Sequence, residues 1–120
     1  MPNFWTRLDN LIASSEVIID RPKGSTHPKY SEIVYPLDYG YLKNTSGGDG
    51  DGIDVWQGSM PDKKLVAIVC TVDMRKRDAE IKLLAGCTND EMDTVHRFHN
   101  DYCNMSGIII KRDELSCDIP

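Results

Sequence analysis

Lys64 to Gly86 reads K-L-V-A-I-V-C-T-V-D-M-R-K-R-D-A-E-I-K-L-L-A-G, and it decides the fold. The run from Lys64 to Asp73 is rich in β-branched and apolar residues and is the clearest strand in the chain. Glu80 to Gly86 is a second strand, and the tip M-R-K-R between them turns the chain back, so the pair forms a hairpin. In such a hairpin Asp73 and Asp78 face each other. Directly opposed residues have Cβ atoms roughly 4.5–5.5 Å apart, where two carboxylates repel unless a positive charge intervenes. That charge would be either a metal ion or the neighbouring Arg75, Lys76 and Arg77.

Outward from the hairpin, Ile53 to Gln57 is a short strand and Ile108 to Lys111 a final one. Toward the N-terminus, Trp5, Leu8, Leu11 and Ile12 fall at helical spacing within residues 4–13. Glu16 to Arg21 is a β-branched strand ended by Pro22, and K-G-S-T-H-P then forms a loop. Tyr30 to Tyr35 reads as extended, because the proline at position 36 disfavours helical geometry in the residue before it. Leu37 to Gly52, dominated by Gly, Asp, Asn, Ser and Thr, reads as a long loop.

Beyond the hairpin, Thr88 to Glu91 fits a capping box that opens a helix running to about Cys103. Met92, Val95, Phe98, His99 and Tyr102 form one stripe along it, the face that packs on the sheet. Short strands with two helices imply an α+β, mainly β fold, a small β-barrel or curled sheet with helical cover.

A chain of 120 residues has the size of one domain. Its 40% apolar and 28% charged content is that of a globular protein. A net charge of −5 argues against a nucleic-acid partner. The absence of any long apolar run or apolar signal core predicts a cytoplasmic protein without membrane spans. Cys70, Cys87, Cys103 and Cys117 are widely spaced with no C-x-x-C pair, which predicts free thiols.

Aspartate supplies fourteen of the nineteen acidic residues, a bias toward turns and rigid metal shells rather than helix surfaces. The densest group is S-G-G-D-G-D-G-I-D-V, where Asp49, Asp51 and Asp54 lie within six residues among glycines. Three carboxylates so close favour a shared hard cation, Mg²⁺, Ca²⁺ or Mn²⁺. The competing reading is a surface loop with its acids splayed into water. An EF-hand fails here, because Ile53, Asp54 and Met60 stand where an oxygen ligand, glycine and glutamate are required. A P-loop fails too, since no Gly-Lys-Ser/Thr follows. His96, His99 and Cys103 share a helix side but lack a fourth zinc ligand, and they read as partly buried helix residues.

The stretch Y-P-L-D-Y-G-Y-L, followed by D-G-D-G-I-D-V, closely resembles the signature region of family I soluble inorganic pyrophosphatases. The likeness extends upstream through V-I-I-D-R-P-K-G-S-T-H-P-K-Y and downstream to the Asp73–Asp78 pair. It implies an OB-type small β-barrel with a helix from the C-terminal half packed on it. It also implies hydrolysis of pyrophosphate with several Mg²⁺ ions, Mn²⁺ being an alternative, and assembly into a homo-oligomer. By the same resemblance Asp49, Asp54, Asp73 and Asp78 would bind metal and Asp51 would be the general base. Lys29, Tyr39 and Tyr102 would hold phosphate, with Asp20 in an outer shell and Glu32 there too, one place after Ser31, where the family has its acid.

The sequence departs from the family in its phosphate cradle. Gly52 replaces a usual proline, and the short segment between Tyr30 and Tyr35 has no counterpart of the family's phosphate-gripping arginine. Cys103 replaces a lysine, and Glu80 stands where another lysine is usual. Lys82, two residues on, keeps the same strand face and would reach the site from there. Arg21, Lys23 and the Arg75–Arg77 tip are further replacements for the missing cations. These losses leave open a larger phosphoanhydride substrate, such as a nucleotide, or a module that binds Mg²⁺ and phosphate with little turnover.

Overall fold

A computed structural model describes residues 3–48, 50–101 and 104–112. Helix α1 spans Phe4–Ala13 and strand β1 Val17–Arg21, followed by β2 (Asp38–Leu42), β3 (Ile53–Gln57), β4 (Leu65–Asp73) and β5 (Asp78–Ala85). Helix α2 covers Asn89–Phe98 and strand β6 Met105–Lys111. The six strands form one sheet in the order β1-β2-β3-β5-β4-β6. All neighbours are antiparallel except β3 and β5, which run parallel with β4 as the connection. The mainly β class is as expected, but the barrel is not closed: β1 and β6 are the two edges of an open sheet.

Adjacent strand residues serve opposite faces, as a two-residue period requires. Val55, Ile68 and Leu83 join one buried cluster, and their chain neighbours Trp56, Val69 and Leu84 join the other. Helix α1 covers the first face with Trp5, Leu8, Leu11 and Ile12. Helix α2 covers the second with Met92 and Val95. In β4 a register shift between Leu65 and Ala67 lets two residues of the same parity serve different faces. Arg112 fixes the end of β6 to α1 through paired 2.7 Å bonds from Nη1 and Nη2 to the two Asp9 oxygens.

Both helix starts follow local chemistry. Asn3 Oδ1 accepts from the Thr6 amide at 2.9 Å, capping α1. Thr88 and Glu91 form the expected reciprocal box at the start of α2. The second helix stops at Phe98, with His99 as its cap, rather than reaching about Cys103.

Two other expectations change. Positions 38–42 of the supposed loop 37–52 form β2, paired along both sides with β1 and β3. Tyr30 to Tyr35 is not a strand; its first residues turn, with the Ile33 amide donating to the Tyr30 carbonyl, and a lone bridge joins Val34 to Thr26. Cys70 and Cys87 are free thiols, and burial, then the charge of Glu91, raises the Cys87 pKa to about 12. No helix among the described residues is long and apolar enough to cross a membrane.

Candidate active site

A cleft of about 1100 Å³ opens on the α2 side of the sheet. Its floor comes from β2, β3 and β5, and its walls from the end of β1, the 27–33 loop, the loop before β3 and the β4–β5 hairpin. Asp54 and Lys82 project from neighbouring strands onto this floor, with Tyr39 beside them. Lys82 Nζ donates to Asp54 Oδ2 at 2.6 Å and to Tyr39 Oη at 3.0 Å, and Tyr39 Oη donates to the same Asp54 oxygen at 2.7 Å. Glu80, one step along the face of β5, lies 3.4 Å from Lys82 Nζ.

Burial controls the charges of this group. Lys82 is only 5% exposed. Burial disfavours its ammonium, but the Tyr39 oxygen and Asp54 carboxylate against it outweigh that and hold its pKa above the ordinary lysine value. Burial likewise pushes the Tyr39 hydroxyl above the usual phenol range, so it remains a donor. Behind them Tyr35, Tyr39, Trp56, Phe98 and His99 pack ring against ring. Trp56 Nε1 donates to His99 Nε2 at 3.0 Å, which places the imidazole proton on Nδ1, 3.3 Å from Met105 Sδ. Burial above all, then the charges of Lys82 and His96, lowers the His99 pKa to about 3. His99 is thus a neutral core histidine.

Of the acids read from the sequence, Asp20, Glu32, Asp51, Asp54 and Asp73 line the cleft, as do Lys29, Tyr39 and Lys82. Asp51 is exposed on its loop. Asp73 and Asp78 are opposed in register as expected, yet only Asp73 lines the cleft. Asp73 Oδ1 also accepts from the Arg75 and Lys76 amides at 2.9 and 3.1 Å, which caps the hairpin tip. Asp49 and Tyr102 lie outside the described residues.

Among the described residues no three Asp, Glu, His or Cys side chains converge into a ready metal-binding group. Asp51, Asp54 and Asp73 share one cleft without being drawn into one shell. Their chemistry still fits a hard divalent ion: every candidate donor is a carboxylate oxygen, and Asp54 already holds a cation in the Lys82 ammonium.

The residues that sequence reasoning placed least well are Glu80 and Arg21. Glu80 faces the cleft because it shares the parity of Lys82, and the two-residue period carries that signal. Arg21 faces it beside its chain neighbour Asp20 because the β1–β2 register shifts between Ile19 and Arg21. A bulge of this kind has no signature in V-I-I-D-R.

Comparison with known proteins agrees with this architecture. The inorganic pyrophosphatase of Geobacillus stearothermophilus is 33% identical over 60 residues, covering 43% of this chain and 36% of that protein. That of Leifsonia xyli subsp. xyli (strain CTCB07) is 36% identical over 55 residues, covering 33% of this chain and 34% of its own length. The chain thus matches about a third of the length of these relatives. The solved inorganic pyrophosphatase of Helicobacter pylori superposes with a TM-score of 0.58 at 17% identity, over 82% of this chain and 84% of that one. An inorganic phosphatase of Anaplasma phagocytophilum gives 0.54 at 18% identity, over 79% and 81%. At such identities the superpositions speak for the fold alone. The sequence pattern of the family described as Inorganic Pyrophosphatase matches residues 10–107, from within α1 into β6, and by that match the chain belongs to the inorganic pyrophosphatase family.

Proposed function

We propose that the protein hydrolyses inorganic pyrophosphate to two phosphates. The observation that carries this reading is the meeting of Asp51, Asp54 and Asp73, from three separate segments, in one cleft that also holds the Tyr39–Lys82 pair. Asp54 and Asp73 would hold a divalent ion, Mg²⁺ by donor hardness with Mn²⁺ as an alternative, Asp49 and Asp78 are the remaining candidate ligands, and Asp51 stands beside them as the base. When bound, such an ion supplies the charge that acidifies water and offsets the charge developing on phosphoryl oxygens.

The chain's own residues do the rest. Asp51 takes the proton of the attacking water as the water oxygen bonds to phosphorus, and the bridging P–O bond breaks to release the second phosphate. Its exposed position on a loop between Gly50 and Gly52 gives that water access. Lys82 and Tyr39 fix Asp54 in one orientation and add a positive charge and a hydroxyl to the cleft floor. Lys29 and the other cations of the walls hold the substrate phosphates. Asp20 and Glu32 lie outside this group on the cleft wall. We place the reaction in the cytoplasm.

Phosphate release from pyrophosphate in Mg²⁺ tests this reading. Asp51→Asn should lower turnover by about 10²–10⁴-fold, the usual contribution of a general base. Equal rates for the two proteins would exclude Asp51 as base. A second reading, that the substrate is a nucleotide, is favoured by the cleft volume, which exceeds the roughly 300–1,000 Å³ of ordinary small-molecule sites. A panel of nucleoside di- and triphosphates run beside pyrophosphate decides between them by relative kcat/KM.

A further inference from the structure

The four ion pairs among the described residues join Lys43 to Glu16, Lys82 to Asp54 and Glu80, and Arg112 to Asp9. Neither Arg21 nor Arg75 is in them, although both face a cleft rich in carboxylates. Each is held by a tyrosine instead. Arg21 Nη1 donates to the Tyr35 hydroxyl, and its guanidinium carbon lies 5.4 Å from the centre of that ring. Arg75 Nη1 donates to the Tyr30 hydroxyl at 2.9 Å, with the guanidinium carbon 5.8 Å from the ring centre.

An exposed arginine without an ion pair is ordinary, because such pairs contribute little. Two arginines on different elements, held in the same way at one cleft, are not explained by that. A guanidinium carries five N–H donors in a planar fork that matches an oxyanion two bonds at a time. Fixing one nitrogen on a tyrosine orients the fork before a ligand arrives, and that lowers the ordering cost of binding. His27 packs beside the second of these tyrosines, its ring centre 5.1 Å from that of Tyr30. Burial first, then Arg21, Lys76 and Lys29, lowers the His27 pKa, so positive potential gathers at this end of the cleft.

We propose that Arg21 and Arg75 form a two-guanidinium clamp for a phosphate group of the substrate, preset by Tyr35 and Tyr30. The clamp rests on the reading of the cleft as a phosphoanhydride site, and it supplies the cations whose usual positions this sequence leaves empty. The bulge at Ile19–Arg21 brings one arm into the cleft, and the β4–β5 hairpin tip brings the other.

Calorimetric titration of the full chain with inorganic phosphate, in saturating Mg²⁺, tests the clamp without relying on turnover. Arg21→Gln and Arg75→Gln should each weaken phosphate binding about tenfold, the scale of one charge-assisted hydrogen bond. Arg21→Lys and Arg75→Lys should recover only part of that, since lysine has no fork, while thermal midpoints and Mg²⁺ affinity stay at wild-type values. If Arg21→Gln does not fold, Arg21→Lys decides that arm by the same criterion. Phosphate affinity within about twofold of wild type in both Gln variants overturns the clamp, as does wild type that binds no phosphate. Arginine-dependent phosphate binding without pyrophosphate hydrolysis would retain the clamp and reject the proposed function. Hydrolysis with arginine-independent phosphate binding would do the reverse.

Discussion

His99 sits 2% exposed between an indole donor and a thioether, so no partner favours its charged form. Its folded pKa of about 3 is well below the roughly 6.5 of an unfolded histidine. Between those values the unfolded chain binds a proton here that the folded chain does not. Stability therefore falls as pH falls, by about 1.4 kcal/mol per pH unit from this residue alone. Urea midpoints measured from pH 7 to 4 should show that slope in wild type and a shallower one in His99→Gln, which keeps an acceptor for Trp56. Parallel slopes would mean that the carboxylates alone set the acid limit. Lys82 poses the opposite problem, an ammonium whose removal strands two carboxylates that are themselves largely buried. Lys82→Met should cost about 3 kcal/mol in urea unfolding with chelator present, the scale of breaking a buried pair. Mg²⁺ should then restore more stability to this variant than to wild type, because Asp54 has lost its internal cation. Unchanged stability in chelator would show that water reaches Asp54 and Glu80 in the place of the ammonium.

Strand β2 is the element on which the site depends most and the one that D-Y-G-Y-L conceals. Gly40 lies where a Cβ would fall 1.8 Å from the Ile18 carbonyl oxygen and 2.8 Å from Ile19 Cα, so β1 and β2 approach closely only because no side chain intervenes. Gly40→Ala must part the strands that carry Arg21 and Tyr39. It should lose about 3 kcal/mol, the upper end for overpacking, along with most activity. A urea midpoint equal to wild type would mean that β1 shifts at little cost. The same glycine made the segment read as loop, since glycine and aspartate mark turns far more often than strand interiors. Where a side-chain pattern carried the information, the reading held. The apolar, β-branched run of β4 and the return after M-R-K-R gave the hairpin and the opposed Asp73–Asp78 pair, and the two-residue period placed Lys82 on the face of Glu80. The Thr88–Glu91 box marked the start of α2 because capping is a local hydrogen-bond pattern, and Thr88→Ala should lose about 1 kcal/mol by thermal or urea unfolding. What stayed hidden were events set by pairing: the bulge that turns Arg21 inward, the stop of α2 at Phe98, and the choice between an open and a closed sheet.

Across the whole molecule, the open sheet separates two tasks. Its α1 face holds an apolar cluster under Trp5, with α1 tied down by the Arg112–Asp9 pair, and continues as an open apolar groove beside Val72, Ile81 and Ile108. Its α2 face gives one end to core packing and the other to a cleft lined by seven carboxylates and five lysine or arginine side chains. Folding gathers those carboxylates, which the unfolded chain keeps apart, so their mutual repulsion is a cost that only the native state carries. A divalent cation that binds the folded cleft and not the unfolded chain must therefore stabilise the protein as its concentration rises above the dissociation constant. At a hundredfold excess over that constant the gain is about 2.7 kcal/mol. For a chain of this size that corresponds to a rise of roughly 10 °C or more in the thermal midpoint. Calorimetric scans in chelator and in increasing Mg²⁺ should show the midpoint climbing, with Mn²⁺ acting in the same direction and Na⁺ at equal ionic strength producing no comparable rise. Asp54→Asn and Asp73→Asn should each reduce the Mg²⁺-dependent part of the shift, whereas Asp62→Asn, away from the cleft, should preserve it. A midpoint indifferent to both divalent ions would show that Lys82 and the wall arginines already balance the cleft, and the metal-dependent reading of the site would fall.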